Sequence, residues 1–262
     1  MRSRLLVAIP GIALAVAVVI AGGAVFAAVV AVVALLALYE LHSLTAAARP
    51  LRWAGDAGVL ATIGLAWLLD DGQRGVLAGL TAGLVLAGIA GLVLPRRDDV
   101  TARVATTAFG ILYIGLPFGL LVLTRELPDG AAAVANVLVG VWVFDTASYL
   151  GGRVWGRRPI APRTSPGKTV EGAAIGLAAG TLAVVVAGLY MDWISAWQSL
   201  LLGAAICVAA YVGDLLESML KRDAGAKDSG RLLLGHGGVL DRFDALLIAA
   251  PVAYLVTVAV IR

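Results

Sequence analysis

Apolar residues recur along this chain in runs of about twenty, the length a helix needs to cross a hydrocarbon core of ~30 Å, and short polar stretches part them. The pattern predicts nine spans, near residues 5–21, 24–41, 54–70, 75–94, 104–124, 131–151, 172–191, 197–216 and 239–261. The first two share one apolar stretch too long for a single crossing, and Gly22-Gly23 is the turn that divides them. The expected fold class is therefore all-α: a polytopic integral membrane helical bundle of about nine transmembrane helices.

Composition agrees with the pattern. Of 262 residues, 61% are hydrophobic, and only 20 Lys and Arg with 17 Asp and Glu are spread among them. A net charge of +3 would suit nucleic acid in a soluble protein, but its placement argues otherwise. With the N-terminus cytoplasmic, every Lys and Arg except Arg74, Arg125 and Arg262 falls on the cytoplasmic face. That is the positive-inside bias of a bacterial-type plasma-membrane protein. The basic surplus then suits anionic headgroups and phosphates, and no nucleic-acid partner is expected. Met1-Arg2-Ser3-Arg4 resembles the start of a signal peptide, yet the many spans that follow make an uncleaved first helix the better reading. The single cysteine, Cys207, excludes an internal disulfide and any Cys-based zinc site. Trp53, Trp67, Trp155, Trp193 and Trp197 near span ends read as interfacial anchors.

Small residues at four-residue spacing, as in Gly79-x-x-x-Gly83 and Gly172-x-x-x-Gly176-x-x-x-Gly180, let helix backbones approach closely in lipid. Packing within one bundle accounts for them; a homodimer seam would use the same chemistry.

Polar chemistry concentrates in two segments. The first reads Asp145-Thr-Ala-Ser-Tyr-Leu-Gly151-Gly152-Arg153, then Arg157-Arg158, then Thr164-Ser165-Pro166-Gly167-Lys168-Thr169-Val170-Glu171-Gly172. Its hydroxyls, backbone N–H groups and Lys168 near a helix start suit phosphate oxygens. Gly167-Lys168-Thr169 is no Walker loop, because the upstream glycine spacing and the preceding strand are absent. The second segment, Gly213 to Asp244, carries Asp214, Glu217, Ser218, Lys221-Arg222, Lys227-Asp228, His236-Gly237-Gly238 and Asp241-Arg242-x-Asp244. Asp214 and Glu217, and again Asp241 and Asp244, stand three apart and share a helix face. Four carboxylates brought together would repel unless a cation joined them, and all-oxygen ligands favour Mg²⁺. Pairing of each acid with a neighbouring base, such as Glu217 with Lys221, is the alternative. His236, among glycines, reads as a nucleotide or phosphate contact rather than a catalytic base.

Position by position, the second segment resembles the signature of the phosphatidate cytidylyltransferases, also called CDP-diacylglycerol synthases, and the first resembles the other hallmark of that family. The resemblance implies a cytoplasmic-face active site that joins CTP to phosphatidic acid within membrane lipid, giving CDP-diacylglycerol and pyrophosphate. It implies Asp214 and Asp241 as ligands of Mg²⁺, with a second, monovalent cation such as K⁺ beside it. Asp214, Lys221, Arg222, Asp241 and Asp244 would then be catalytic. Asp145, Arg153, Ser165, Lys168, Thr169, Glu171, Ser218, Lys227, Asp228, His236, Gly237, Gly238 and Arg242 would bind substrate. Gly167 departs from the pattern, standing where family members often carry a second lysine. Tyr39-Glu40-Leu41 resembles a short family feature, although Glu40 reads as a helix cap at the interface. On this reading 1–262 is one integral membrane domain, with N-terminal spans in 1–125 and catalytic spans and loops in 131–262. The rivals are a CTP-dependent enzyme acting on another lipid (an archaeal-type lipid cytidylyltransferase or a polyprenol kinase) and a secondary transporter. A transporter should place charge at mid-span and show inverted symmetry, whereas here charge gathers at helix ends on one face.

Overall fold

Nine helical rods occupy the nine expected places among the residues described by the structure, a computed structural model: 2–95, 98–230 and 237–261. They are α1 (Arg2–Ala21), α2 (Gly23–Leu44), α3 (Arg52–Leu68), α4 (Gly72–Leu92), the continuous rod of α5 (Val100–Gly110), a π-helical turn (Ile111–Gly115) and α6 (Leu116–Glu126), then α7 (Gly130–Trp155), α8 (Val170–Gly188), α9 (Ala196–Asp223) and α10 (Leu240–Val256), which continues as a π-helical turn to Ile261. Seven are long and apolar enough to cross a membrane. α3, with 17 residues, falls short of that length, and α1 counts only through the apolar stretch Gly11–Ala21. A two-stranded antiparallel hairpin, β1 (Pro159–Ala161) and β2 (Ser165–Thr169), is the sole sheet among the described residues. It forms where a loop was expected between α7 and α8.

The chain divides into two compact units. Unit 1 is Met1–Ala131 with Asp228–Asp241. The Gly22-Gly23 turn is present, with φ of +62° and +51°, a region glycine enters without strain. Arg125 completes it: Nε donates to the Val19 carbonyl at 2.6 Å and Nη2 to the Ile20 carbonyl at 3.3 Å, satisfying carbonyls at the end of α1. Its guanidinium fills the space a side chain at residue 22 would need. α3 and α4 pack on glycine: a Cβ at Gly83 would lie 2.7 Å from Gly58 Cα, and one at Gly79 would enter the Thr62 backbone.

Unit 2 is Ala132–Lys227 with Arg242–Arg262. Here α8 lays its glycine stripe on α7. A Cβ at Gly172 would lie 2.9 Å from Gly152 Cα, at Gly176 2.8 Å from the Phe144 carbonyl, and at Gly180 3.0 Å from the Gly140 carbonyl. The stripes at 79–83 and 172–180 are thus both used up by packing inside their own units, the simpler of the two readings. α9 starts in a capping box, Ser195 with Gln198, and runs 28 residues, seven past the expected end at 216. The Glu217–Lys221 ion pair one turn apart supports that extra helix.

Candidate active site

The polar end of α9 organises the site in unit 2. Glu217 and Ser218 stand three and four residues after Asp214, and Lys221 four and three after them, so the four side chains form a ridge along the helix. Lys168, delivered by β2, reaches it: Nζ lies 2.6 Å from Asp214 Oδ1 and 3.4 Å from Ser218 Oγ. Fifty residues of sequence separate Lys168 from Ser218, so the two polar segments meet in space. Glu217 is fully buried and ion-paired to Lys221, the pairing that competed with a metal role for it. Asp145, from α7, lies in the electrostatic field of Asp214 and Lys168. Asp244, from α10, lies in that of Asp214, Glu217 and Asp145. Close approach of α9 and α10 makes this possible, since a Cβ at Gly213 would lie 2.5 Å from the Asp244 carbonyl.

Several expected substrate contacts are engaged in holding the hairpin. Thr169 Oγ1 accepts from Gly172 N at 3.2 Å and caps α8. Glu171 Oε2 accepts from the backbone N–H groups of Arg157 and Arg158 at 2.9 and 3.1 Å. Arg222 donates from Nε to the Thr164 carbonyl and from Nη1 to the Ala226 carbonyl, both at 3.1 Å. This ties the hairpin turn to the end of α9. Arg153, Lys227, Asp228 and Arg242 are exposed, and Ser165 is half-buried. Gly167 faces open space, and a Cβ there would meet nothing within 4 Å. The missing second lysine removes a charge at a position whose backbone leaves room for a Cβ.

In unit 1 the rest of the signature forms a brace. Asp241 Oδ2 accepts from Gly238 N at 2.7 Å and Ser229 N at 3.0 Å, and Ser229 Oγ accepts from Asp241 N at 3.3 Å. Gly237 has φ +79°. His236 lies outside the described residues. Beneath the brace sits Glu40, only 1% exposed, whose Oε2 accepts from Leu240 N at 2.8 Å and Ser229 Oγ at 3.0 Å. A Cβ at Gly230 or Gly238 would collide with this carboxylate. Glu40 is thus a buried latch on the signature segment rather than an interfacial cap, and 189 residues of sequence separation from Ser229 hid that role. Tyr211 was missed as well. Its hydroxyl is buried without a hydrogen-bond partner in the field of Asp214, and its only sequence signal is standing three residues before it.

The donor set fits a hard divalent cation. Asp145, Asp214, Glu217 and Asp244 set four carboxylates against the ammoniums of Lys168 and Lys221. Among the described residues no three acidic, imidazole or thiolate groups converge on one point as a ready-made cage. Mg²⁺ does not need one, because it usually takes one or two carboxylates and completes its shell with water and substrate phosphate.

The profile of the Cytidylyltransferase family matches residues 2–260. The chain belongs to the cytidylyltransferase family. Its relatives include the phosphatidate cytidylyltransferase of Brucella suis, 38% identical over 198 residues that cover 73% of this chain and 72% of the relative. That of Staphylococcus saprophyticus is 34% identical over 169 residues, 64% of each chain. That of Mycobacterium leprae is 33% identical over 195 residues, covering 69% of this chain and 62% of the relative.

Proposed function

We propose that this integral membrane cytidylyltransferase transfers CMP from CTP to phosphatidic acid, forming CDP-diacylglycerol and releasing pyrophosphate. The observation that carries the reading is the Lys168–Asp214 contact, which joins the two signature segments of a family member whose relatives bear the name phosphatidate cytidylyltransferase. Neither rival, another CTP-dependent lipid enzyme or a transporter, gains support from any contact in the site.

Both substrates are polyanions, so the barrier is mainly charge repulsion and alignment. The phosphate oxygen of the lipid is already an anion and needs no general base. It attacks the α-phosphorus of CTP, the new P–O bond forms, and the bond to the bridging oxygen breaks in line to release pyrophosphate. Lys168 and Lys221 are held by carboxylates at the mouth of the ridge, where an arriving phosphate can share them. Ser218 and Lys168 orient one another. Arg222, Thr169 and Glu171 keep the hairpin, and hence Lys168, in place. When bound, Mg²⁺ supplies Lewis-acid charge beside the reacting phosphates. Asp214, with Asp145 and Asp244 from the same unit, would hold it. The resemblance gives Asp241 a share in the ion and adds a monovalent cation, and metal titration of variants tests both. The positive-inside bias of the sequence supports a cytoplasmic N-terminus and site.

The test is purified protein in lipid micelles with phosphatidic acid, CTP and Mg²⁺. CDP-lipid and pyrophosphate should form in equal amounts. Absence of CDP-lipid in protein that binds CTP would refute the reading.

A further inference from the structure

A small half-open pocket in unit 1, with a few polar groups set in a largely apolar wall, has no part in the chemistry above. It measures about 180 Å³ and is lined by Leu35, Tyr39 and His42 of α2 and Arg52 and Asp56 of α3. At ~30 Å³ of liquid volume per water, that is room for roughly six waters or one small headgroup. Its walls carry one cation, one carboxylate, a phenol and an imidazole, and Leu35 with the carbon surfaces of the other side chains makes up most of the exposed lining.

Three observations point to a ligand. First, His42 is only 1% exposed and its Nε2 has no hydrogen-bond partner. Glycines admit the ring: a Cβ at Gly55 would lie 2.7 Å from His42 Cε1, and one at Gly110 3.3 Å from Nε2. A bundle that makes room for an unsatisfied polar ring bears a cost that packing alone does not explain. Second, Arg52 and Asp56 are one helical turn apart yet form no ion pair among the described residues; instead the Arg52 guanidinium carbon sits 5.6 Å from the centre of the Tyr39 ring. Asp56 lies in the electrostatic field of Arg52 without a direct ion pair, so a third group bearing both charges can contact the two. Third, Tyr39 and Trp53 are 52% and 59% exposed, and Arg49 lies just before α3. Exposed aromatics beside arginines mark the headgroup level of a bilayer.

We infer that this cavity binds the headgroup of a membrane aminophospholipid such as phosphatidylethanolamine, with the phosphate against Arg52 and the ammonium between Asp56 and the Tyr39 ring. A purely anionic headgroup would leave Asp56 opposed to it. A choline headgroup could lie on the Tyr39 ring but cannot donate a hydrogen bond to Asp56. The pairing of opposite charges selects a zwitterion with N–H donors.

Native mass spectrometry of the full-length protein in detergent tests this. Phosphatidylethanolamine, phosphatidylcholine, phosphatidylglycerol and phosphatidic acid of the same acyl chains are titrated separately, and inorganic phosphate is added as a competitor. Phosphatidylethanolamine should be retained at least tenfold more tightly than the other three and should resist millimolar phosphate. Arg52→Gln should weaken it about tenfold, and Asp56→Asn should erase its advantage over phosphatidylglycerol, with the melting temperature unchanged. Asp56→Asn keeps size and shape, so it carries the test if Arg52→Gln does not purify. Equal retention of phosphatidylglycerol or phosphatidic acid would overturn the proposal in favour of a plain anion site. Displacement by phosphate, or retention indifferent to both variants, would overturn it too.

Discussion

Replacing Glu40 probes the signature segment from beneath. The Glu40→Ala variant leaves two buried donors, Leu240 N–H and Ser229 O–H, without their acceptor. Each costs about 1–3 kcal/mol if nothing replaces the carboxylate, and water entering the vacated space recovers part of that. A net loss of ~3 kcal/mol corresponds to roughly a hundredfold larger population of the open segment. Hydrogen–deuterium exchange of peptides containing Leu240 reads this directly, and exchange there should quicken by about that factor while the rest of α2 stays protected. Glu40→Gln keeps one acceptor and should cost on the order of 1 kcal/mol. Gly238→Ala attacks from the other side, because its Cβ would occupy the space of the Glu40 carboxylate and the Ser229 hydroxyl. In the double variant the clash with the carboxylate is gone and only the Ser229 hydroxyl, itself released from Glu40, must shift, so the combined cost should be less than the sum of the two. Strict additivity, or unchanged exchange in Glu40→Ala, would refute the latch.

Asp214→Asn should lower turnover by on the order of 10²–10³-fold and raise the Mg²⁺ requirement, with folding intact, as metal titration of the lipid assay would reveal. Asp241→Asn separates two roles. A raised Mg²⁺ requirement assigns it to the ion, whereas lost activity at an unchanged requirement leaves it as the brace of Ser229 and Gly238. Lys168→Ala strips Asp214 of its partner and should raise the apparent KM for CTP or lipid; unaltered kinetics would reduce Lys168 to surface charge. Cysteines placed at Arg163 and Lys227, both exposed, should react with impermeant reagents only from the cytoplasmic side, and buried Cys207 keeps the background low. Labelling from outside would invert the topology.

Hydrophobic run length alone located every rod, because crossing a hydrocarbon core sets one dimension that sequence must meet. The Gly22-Gly23 turn was legible for the same reason. Run length could not show that α9 keeps winding past the apolar stretch; the signal for it was the Glu217–Lys221 spacing, weighed only as an alternative to a metal role and present as an ion pair one turn apart. The two signature segments were legible as chemistry but not as geometry. Nothing local says that β2 carries Lys168 to Asp214, or that Glu40 reaches Ser229. The hairpin was hidden by a stretch whose prolines and glycines spell turn. Nor could the motifs show that Thr169, Glu171 and Arg222 each hydrogen-bond to backbone and so hold the hairpin in place.

The most direct test follows the phosphorus atoms of CTP. Purified protein with phosphatidic acid is given CTP labelled at either the α- or the γ-phosphate. Label from the α-position should enter the lipid, and label from the γ-position should leave as pyrophosphate, one for one. Appearance of the γ-label in lipid would mean a kinase, and retention of both labels in CTP would contradict the account altogether.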